Sequence, residues 1–330
     1  MDPLALSLVN GYQRGLPLTP RPFHAIAGAL GSTEDEIIGQ LTALTGRGAI
    51  SRVGAIFAPG RVGAGTLAAL SVPAARLAEV AALVNAHPGV NHNYEREHGW
   101  NLWFVVTAPD ASRLKRVLDA IESRAGCGTL LRLPMIEGYH IDLGFPLGAT
   151  AARAAVPVGR GRARLGDRER ALAAALQEGL ELVPAPYAAL GARAGLTESE
   201  VIGVLGEWLE AGIVKRMGLI VRHHEFGYQA NAMVVWDVAD DRVADCGRRI
   251  AAVPYVTLCY RRARCLPQWR YNLYGMIHGQ SRARVLEQIA ELGARCDLGD
   301  YPYDVLFSRR RFKQGAARYV ESAAAEVAHG

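Results

Sequence analysis

The stretch that decides the fold is LPLTPRPFHAIAGALGSTEDEIIGQLTALTGRGAISRVGAI, residues 16–56. LELVPAPYAALGARAGLTESEVIGVLGEWLEAGIVKRMGLI, residues 180–220, matches it without a gap at a spacing of 164 residues. Sixteen of the 41 aligned pairs are identical, among them Leu18/Leu182, Pro20/Pro184, Pro22/Pro186, Gly31/Gly195, Thr33/Thr197, Glu36/Glu200, Gly48/Gly212, Arg52/Arg216 and Gly54/Gly218. A period this long duplicates whole domains rather than building a solenoid. Positions where the copies differ are then as informative as those where they agree.

Within the first copy, Pro20 and Pro22 open a short helix that Gly31 ends. Thr33 with Glu36 three residues later marks the start of the next helix. Ile37, Ile38, Leu41 and Leu44 carry its apolar period, and Gly46 and Gly48 close it. Ala49 to Phe57 alternates and reads as a strand pair or wing. Helix, turn, helix and wing make a winged helix-turn-helix, and the second copy repeats it through Leu209, Gly212 and Ile213 to Val221.

Each copy continues with an α+β pattern. In the first, strands are expected at Thr66–Val72, Val90–Arg96, Asn101–Ala108 and Leu130–Met135, with helices at Ala74–Ala86 and Asp110–Arg124. The second should follow with strands at Ala230–Trp236, Val256–Arg262, Tyr271–His278 and Val305–Ser308 and helices at Asp241–Ala252 and Ser281–Gly293. The order βαββαβ is ferredoxin-like with an antiparallel sheet. The expected architecture is α+β: a tandem duplication whose halves form a covalent pseudo-dimer. Its boundaries are a first winged helix at 1–60, a first ferredoxin-like domain at 61–150, a linker at 151–167, a second winged helix at 168–222 and a second ferredoxin-like domain at 223–330.

Composition agrees with a soluble protein of several domains. The chain has 330 residues, half of them hydrophobic and 21% charged. Its apolar runs have strand length, well short of the ~20 residues of a membrane span. Asp2 and Pro3, with no basic stretch behind them, do not resemble a signal peptide. The five cysteines follow no metal or disulfide spacing, so reduced thiols and a cytoplasmic location are expected. The net charge of +5 includes six arginines between Arg153 and Arg170, in an Ala-, Gly- and Pro-rich stretch that reads as a solvated tether.

A winged helix joined to a ferredoxin-like unit resembles the AsnC/Lrp transcription regulators. Reading DNA requires Arg, Lys, Asn or Gln on the recognition helix. Glu34–Leu44 offers only Gln40 and carries Glu34, Asp35 and Glu36, while Glu198–Leu209 carries Glu198, Glu200 and Glu207 and no basic residue. Acidic side chains facing phosphates oppose binding. The helix pairs therefore read as scaffold or dimerisation elements, with no specific DNA binding.

Chemistry-bearing residues crowd three segments: Val90-Asn-His-Asn-Tyr-Glu-Arg-Glu-His-Gly-Trp-Asn-Leu-Trp-Phe, Val221-Arg-His-His-Glu-Phe-Gly-Tyr-Gln-Ala-Asn-Ala, and Val256-Thr-Leu-Cys-Tyr-Arg-Arg running on through Trp269-Arg-Tyr-Asn-Leu-Tyr. Arginines interleaved with aromatics suit a flat polyanion: guanidinium forks grip carboxylates and rings stack on the plane. Histidines add metal ligation or proton transfer near neutral pH. Trp103 and Trp208 read as core, His87 as surface and His329 as tail. His140 stands between packing and function.

These motifs resemble the siroheme decarboxylases, the NirD/NirL/NirG/NirH proteins and their Ahb relatives. The likeness runs through nearly the whole chain outside the Arg-rich linker, its first half resembling a NirD-type and its second a NirL-type member. The resemblance implies an AsnC/Lrp-like fold of the RAM type. It implies loss of carbon dioxide from siroheme acetates to leave methyl groups, giving 12,18-didecarboxysiroheme on the way to the haem d1 of nitrite reductase. No organic cofactor is implied, since the iron enters with the substrate, and the protein holds no metal of its own. Siroheme and NirG/NirH-type proteins are the implied partners, with a homodimer as a further expectation. An AsnC/Lrp-type regulator or tetrapyrrole sensor on the same fold is the alternative.

The expected catalytic residues are His92, His98, His223 and His224. Substrate contacts are expected from Tyr94, Arg96, Arg216, Arg222, Tyr260, Arg262, Trp269 and Tyr271. Side chains on a strand alternate between faces, so His92, Tyr94 and Arg96 share one, with a turn beginning after His98 at Gly99. His92, and His223 or His224, are the expected iron-ligand and proton-transfer pair, with Arg96, Arg222 and Arg262 on carboxylates. The copies differ here. His223 and His224 stand opposite Pro59 and Gly60, and His92 stands opposite Leu258, where family members often carry a histidine. One competent site fed by both halves is expected.

Overall fold

A computed structural model of the chain describes residues 2–58, 60–141, 163–221 and 230–320. The first copy comprises α1 (Pro3–Tyr12), α2 (Pro22–Leu30), α3 (Glu34–Gly46), β1 (Ile50–Phe57), β2 (Ala64–Leu70), α4 (Leu77–Ala86), β3 (Val90–Arg96), β4 (Leu102–Ala108), α5 (Ala111–Ala125) and β5 (Leu131–Ile141). The second comprises α6 (Asp167–Gln177), α7 (Pro186–Ala194), α8 (Glu198–Glu210), β6 (Val214–Val221), β7 (Ala230–Trp236), α9 (Val243–Ala251), β8 (Val256–Arg262), β9 (Leu273–Gly279), α10 (Arg282–Arg295) and β10 (Tyr303–Gln314). The elements follow one another in the same order in both copies.

Local chemistry explains the paired helices. Pro22 and Pro186 sit at the first helical position, where the missing N–H costs nothing. Gly31 and Gly195 end α2 and α7 in the left-handed region, at φ of 64° and 67°. Thr33 with Glu36, and Thr197 with Glu200, form reciprocal capping boxes at α3 and α8. Sequence identity does not reveal α1 and α6. They stand 164 residues apart, but only Leu8 and Leu172 match within them, and both are buried. Arg168 and Arg170, read as part of the tether, lie on α6.

The expected wing takes a different form. Each copy supplies one strand, and its partner is the equivalent strand of the other copy. β1 and β6 make a two-stranded antiparallel sheet with Gly54 opposite Gly218, Arg52 opposite Ile220 and Ile56 opposite Arg216. Gly54 thus faces its own counterpart, the register of two equivalent strands meeting about a local twofold axis. The bare Cα of Gly218 is required, because a Cβ there would fall 2.4 Å from the carbonyl oxygen of Gln13.

The remaining eight strands do not form two separate sheets. They close one barrel in the order β10-β3-β4-β2-β5-β8-β9-β7. Each copy's last strand pairs with its own first strand and then reaches across: β5 to β8, and β10 to β3. That second partner explains why β5 and β10 run beyond their expected ends at Met135 and Ser308. Closure leaves the barrel without a free strand edge among the described residues. Helices α4 and α5 cover one outer face and α9 and α10 the other. The interior is packed by Leu67, Trp103, Leu133, Met233, Tyr274 and Leu306. The barrel strands are therefore apolar on both faces over much of their length.

Trp103 and Trp208 are each 2% exposed, as read for core residues. Gln40, the one base-reading candidate on α3, donates from Nε2 to Asp2 at 3.3 Å, and Glu34 is paired with Arg21. Glu200 of α8 pairs with Arg168. The five cysteines are free. Among the described residues no helix is long and apolar enough to cross a membrane.

Candidate active site

One cavity, of about 330 Å³, lies where the β1–β6 ribbon meets the barrel, within the usual size range of small-molecule sites. Both copies build it. β3 contributes His92, Tyr94 and Arg96 on the face that strand alternation assigned them. β8 contributes Leu258 and Tyr260, β9 contributes His278, and the ribbon contributes Arg52 and Lys215. His92 and its counterpart Leu258 thus face the same space.

The chain beyond β10 closes one side. Tyr319 is buried against Phe57, ring centroids 6.4 Å apart, and burial pushes its hydroxyl up to about 12. The buried Gln177 side chain holds this segment, accepting from the backbone N–H groups of Tyr319 and Val320 and donating to the Val320 carbonyl at 3.0 Å.

The lining is cationic. No Asp or Glu lines the cavity among the described residues. Arg96 is 8% exposed and donates from Nη1 to the Leu306 carbonyl at 2.9 Å. Arg52 donates to the Ala55 carbonyl at 3.3 Å. The Nε atoms of both are buried without a hydrogen-bond partner. Burial pulls each guanidinium down to about 10, so both stay charged at neutral pH. Arg52 feels the charge of Glu178 from outside the lining, and Arg96 has no carboxylate partner among the described residues. Charge so placed is costly, and it fits a site that awaits an anion.

His92 packs its ring on Tyr94, centroids 6.4 Å apart and planes 20° apart, and its Nδ1 lies 2.6 Å from Asn91 Oδ1. Burial, helped by the Arg52 charge, pulls it down to about 4. The imidazole is therefore neutral in the empty cavity. Because the folded value lies below the ordinary value near 6.5, the unfolded chain takes up the proton first. This group costs no stability above pH ~6.5, and its cost grows as pH falls and is complete below ~4. Histidine NMR of the substrate-free protein should show His92 titrating near 4. A His92→Gln chain should lose less stability between pH 6.5 and 4 than its parent.

Of the other expected residues, several lie elsewhere. His98 sits in the turn beyond β3, where its Nδ1 accepts from the Trp100 backbone at 2.9 Å and its Nε2 meets Asp304 at 3.2 Å; the turn removes it from the cavity. Arg216 donates to the Gln13 carbonyl at the end of α1, and its repeat counterpart Arg52 lines the cavity in its stead. Arg262 is held inside the barrel, 2.6 Å from the Leu133 carbonyl and 4.5 Å over the Tyr260 ring. Trp269 is 2% exposed and donates to the Tyr274 hydroxyl at 2.7 Å. Tyr271 packs on its edge at 4.9 Å. Trp269 belongs to the cluster that fills the barrel interior, and the half-buried Tyr271 packs against it. Arg222, His223, His224 and His329 lie outside the described residues. His87 accepts from Gly89 N–H at 3.1 Å in its turn, and His140 lies on β5; neither lines the cavity. Sequence reasoning missed Arg52, Lys215 and His278. The Arg52/Arg216 identity was the available signal for the first.

Comparison with known proteins places this architecture. The AsnC-like ligand binding domain model matches residues 61–140 and 225–313. The siroheme decarboxylase NirDL-like HTH domain model matches residues 7–50 and 169–214. The siroheme decarboxylase NirDL subunit of Paracoccus denitrificans is 47% identical over 325 residues, covering 98% of this chain and 99% of the relative. A crystal structure of the siroheme decarboxylase NirDL is 28% identical and superposes with a TM-score of 0.71, over 96% of this chain and 94% of that one. A second, of NirDL in co-complex with an iron-uroporphyrin III analogue, gives 0.68 at 28% identity, over 96% and 93%. The chain belongs to the siroheme decarboxylase family.

Proposed function

We propose that this chain decarboxylates siroheme in the cavity its two copies share, converting acetate side chains to methyl groups. The observation that carries the proposal is the lining itself. Buried guanidinium groups with unpartnered Nε atoms and a neutral imidazole face one space without any acidic residue among those described. A flat macrocycle bearing several carboxylates is complementary to that lining, and the related NirDL enzyme has been crystallised with an iron-uroporphyrin III analogue.

Decarboxylation breaks the bond between the acetate methylene and its carboxyl carbon. Carbon dioxide leaves, the electron pair stays on the methylene and spreads into the ring, and one proton completes the methyl group. Arg96 and Arg52, joined by Lys215 and Arg222, hold the carboxylates that do not react. His92, and His223 or His224, form the iron-ligand and proton-transfer pair. Val221 and Asn231, on either side of the segment carrying His223 and His224, line the cavity, which supports that assignment. The iron belongs to the substrate, and the fold is a covalent pseudo-dimer of two winged-helix and ferredoxin-like halves. We place the protein in the cytoplasm, working on siroheme alone or with NirG/NirH-type proteins, and the acidic helices as scaffold without specific DNA binding.

Anaerobic incubation with siroheme, followed by mass spectrometry of the tetrapyrrole, tests this. Stepwise loss of carbon dioxide, ending at the 12,18-didecarboxylated product, is expected. Binding without any mass change, together with a salt-dependent shift of a specific operator DNA, would contradict it.

A further inference from the structure

Hydrogen-bond polarity around His92 can be followed atom by atom. The Gly89 carbonyl can only accept, and the Thr107 hydroxyl reaches it at 3.3 Å, so that hydroxyl spends its proton there. Thr107 Oγ1 is then an acceptor toward its other neighbours, the backbone N–H of Arg318 at 3.0 Å and the amide of Asn91 at 3.2 Å. The Asn91 atom turned to Thr107 is therefore Nδ2, and its Oδ1 faces His92 Nδ1 at 2.6 Å. An amide oxygen can only accept, so Nδ1 of His92 carries the proton. The amide and the hydroxyl that set the polarity lie out of water: Asn91 and Thr107 are each 3% exposed.

From this chain we infer that Asn91, oriented by Thr107, is a positioning residue that holds His92 as its Nδ1–H tautomer, leaving a bare Nε2 for the cavity and making His92 the iron ligand of the pair rather than its proton donor. The assignment rests on the reading of the cavity as a siroheme site. Ligand histidines are commonly fixed this way, with the far ring nitrogen donating to a buried acceptor that sets the tautomer and ring orientation. In the second copy, Leu258 stands where His92 does, and no histidine is there to be held. Thr257, at the place of Asn91, instead pairs with His278 Nδ1 at 3.0 Å. The proton for the methyl group then comes from a different histidine than His92.

The test begins without substrate. Two-bond ¹H–¹⁵N correlation of histidine-labelled full chain reads the tautomer of His92 directly, and this readout stands whether or not siroheme turns over. The parent should show Nδ1 protonated and Nε2 bare. Asn91→Ala should lose that preference, and Asn91→Asp, which keeps an acceptor at the same place, should restore it. Thr107→Val, which frees the amide to turn over, should mix the two tautomers, whereas Thr107→Ser should not. Parent protein titrated with iron-uroporphyrin III should give the spectrum of a histidine-ligated iron, which His92→Ala lacks. Asn91→Ala should bind about tenfold to a hundredfold more weakly, the usual scale for losing such a partner. An Nε2–H tautomer in the parent, or a tautomer indifferent to both Asn91→Ala and Thr107→Val, overturns the inference. An identical iron spectrum in parent and His92→Ala overturns the ligand assignment even if the tautomer is as expected.

Discussion

Replacing His92 by alanine should lower siroheme decarboxylation by ~10²-fold or more, the scale on which loss of one chemically active side chain is felt. The fold should survive. His92 is only partly buried and faces a cavity rather than close-packed core, and its side-chain hydrogen bond among the described residues goes to a neighbour already tied to Thr107. Thermal unfolding near neutral pH should stay within about 1 kcal/mol of the parent, since surface- and cavity-facing substitutions seldom cost more. Replacing His223 and His224 together should produce a loss of similar size. Replacing His87 or His329 should leave turnover unchanged. Parent rates in both the His92 and the His223/His224 variants, measured by product mass under anaerobic conditions, would move the chemistry elsewhere in the barrel.

Replacing Arg52 and Arg96 together by methionine should weaken siroheme binding ~10²-fold or more. Hydrogen bonds to charged groups contribute about 1.5–3 kcal/mol each, and the macrocycle would lose two guanidinium groups at once. Stability should not fall in proportion. Arg96 is buried and Arg52 half-buried, each with a buried, unpartnered Nε, and exchanging such a charge for an apolar side chain of similar length is often neutral or stabilising. Weaker binding together with an unchanged or higher melting temperature is the signature of a site that carries charge for its ligand. Arg262→Met is the control. Like Arg96 it bonds a carbonyl of the other copy and leaves its Nε unpartnered, but it does not line the cavity, so it should change affinity less with a similar effect on stability. Equal loss of affinity in both proteins would mean that the cavity charge does not hold the substrate.

What could be read from the residues follows the range over which the physics acts. Capping boxes, proline starts and glycine stops are local, so α2, α3, α7 and α8 were legible within a residue or so. Strand alternation is local too, and it put His92, Tyr94 and Arg96 on one face. The closure of eight strands into one barrel is not local. It pulls Arg262 and Trp269 inward to partners on other strands, although both lie in a motif as rich in Arg and aromatics as the one that does line the cavity. The choice of Arg52 over its identical counterpart Arg216 is also made at a distance, by the carbonyl of Gln13 at the end of α1. Apolar residues give no warning of chemistry, and Leu258 shows the converse case: an apolar side chain lining the cavity opposite the histidine that matters.

On this reading one cavity, built jointly by both copies, takes one tetrapyrrole. Anaerobic spectroscopic titration of the full chain with iron-uroporphyrin III measures this directly. Saturation at one iron tetrapyrrole per chain, abolished at the same concentrations by the Arg52→Met/Arg96→Met pair, is the expected result. Two equivalent sites per chain, or one site untouched by that pair, would contradict it.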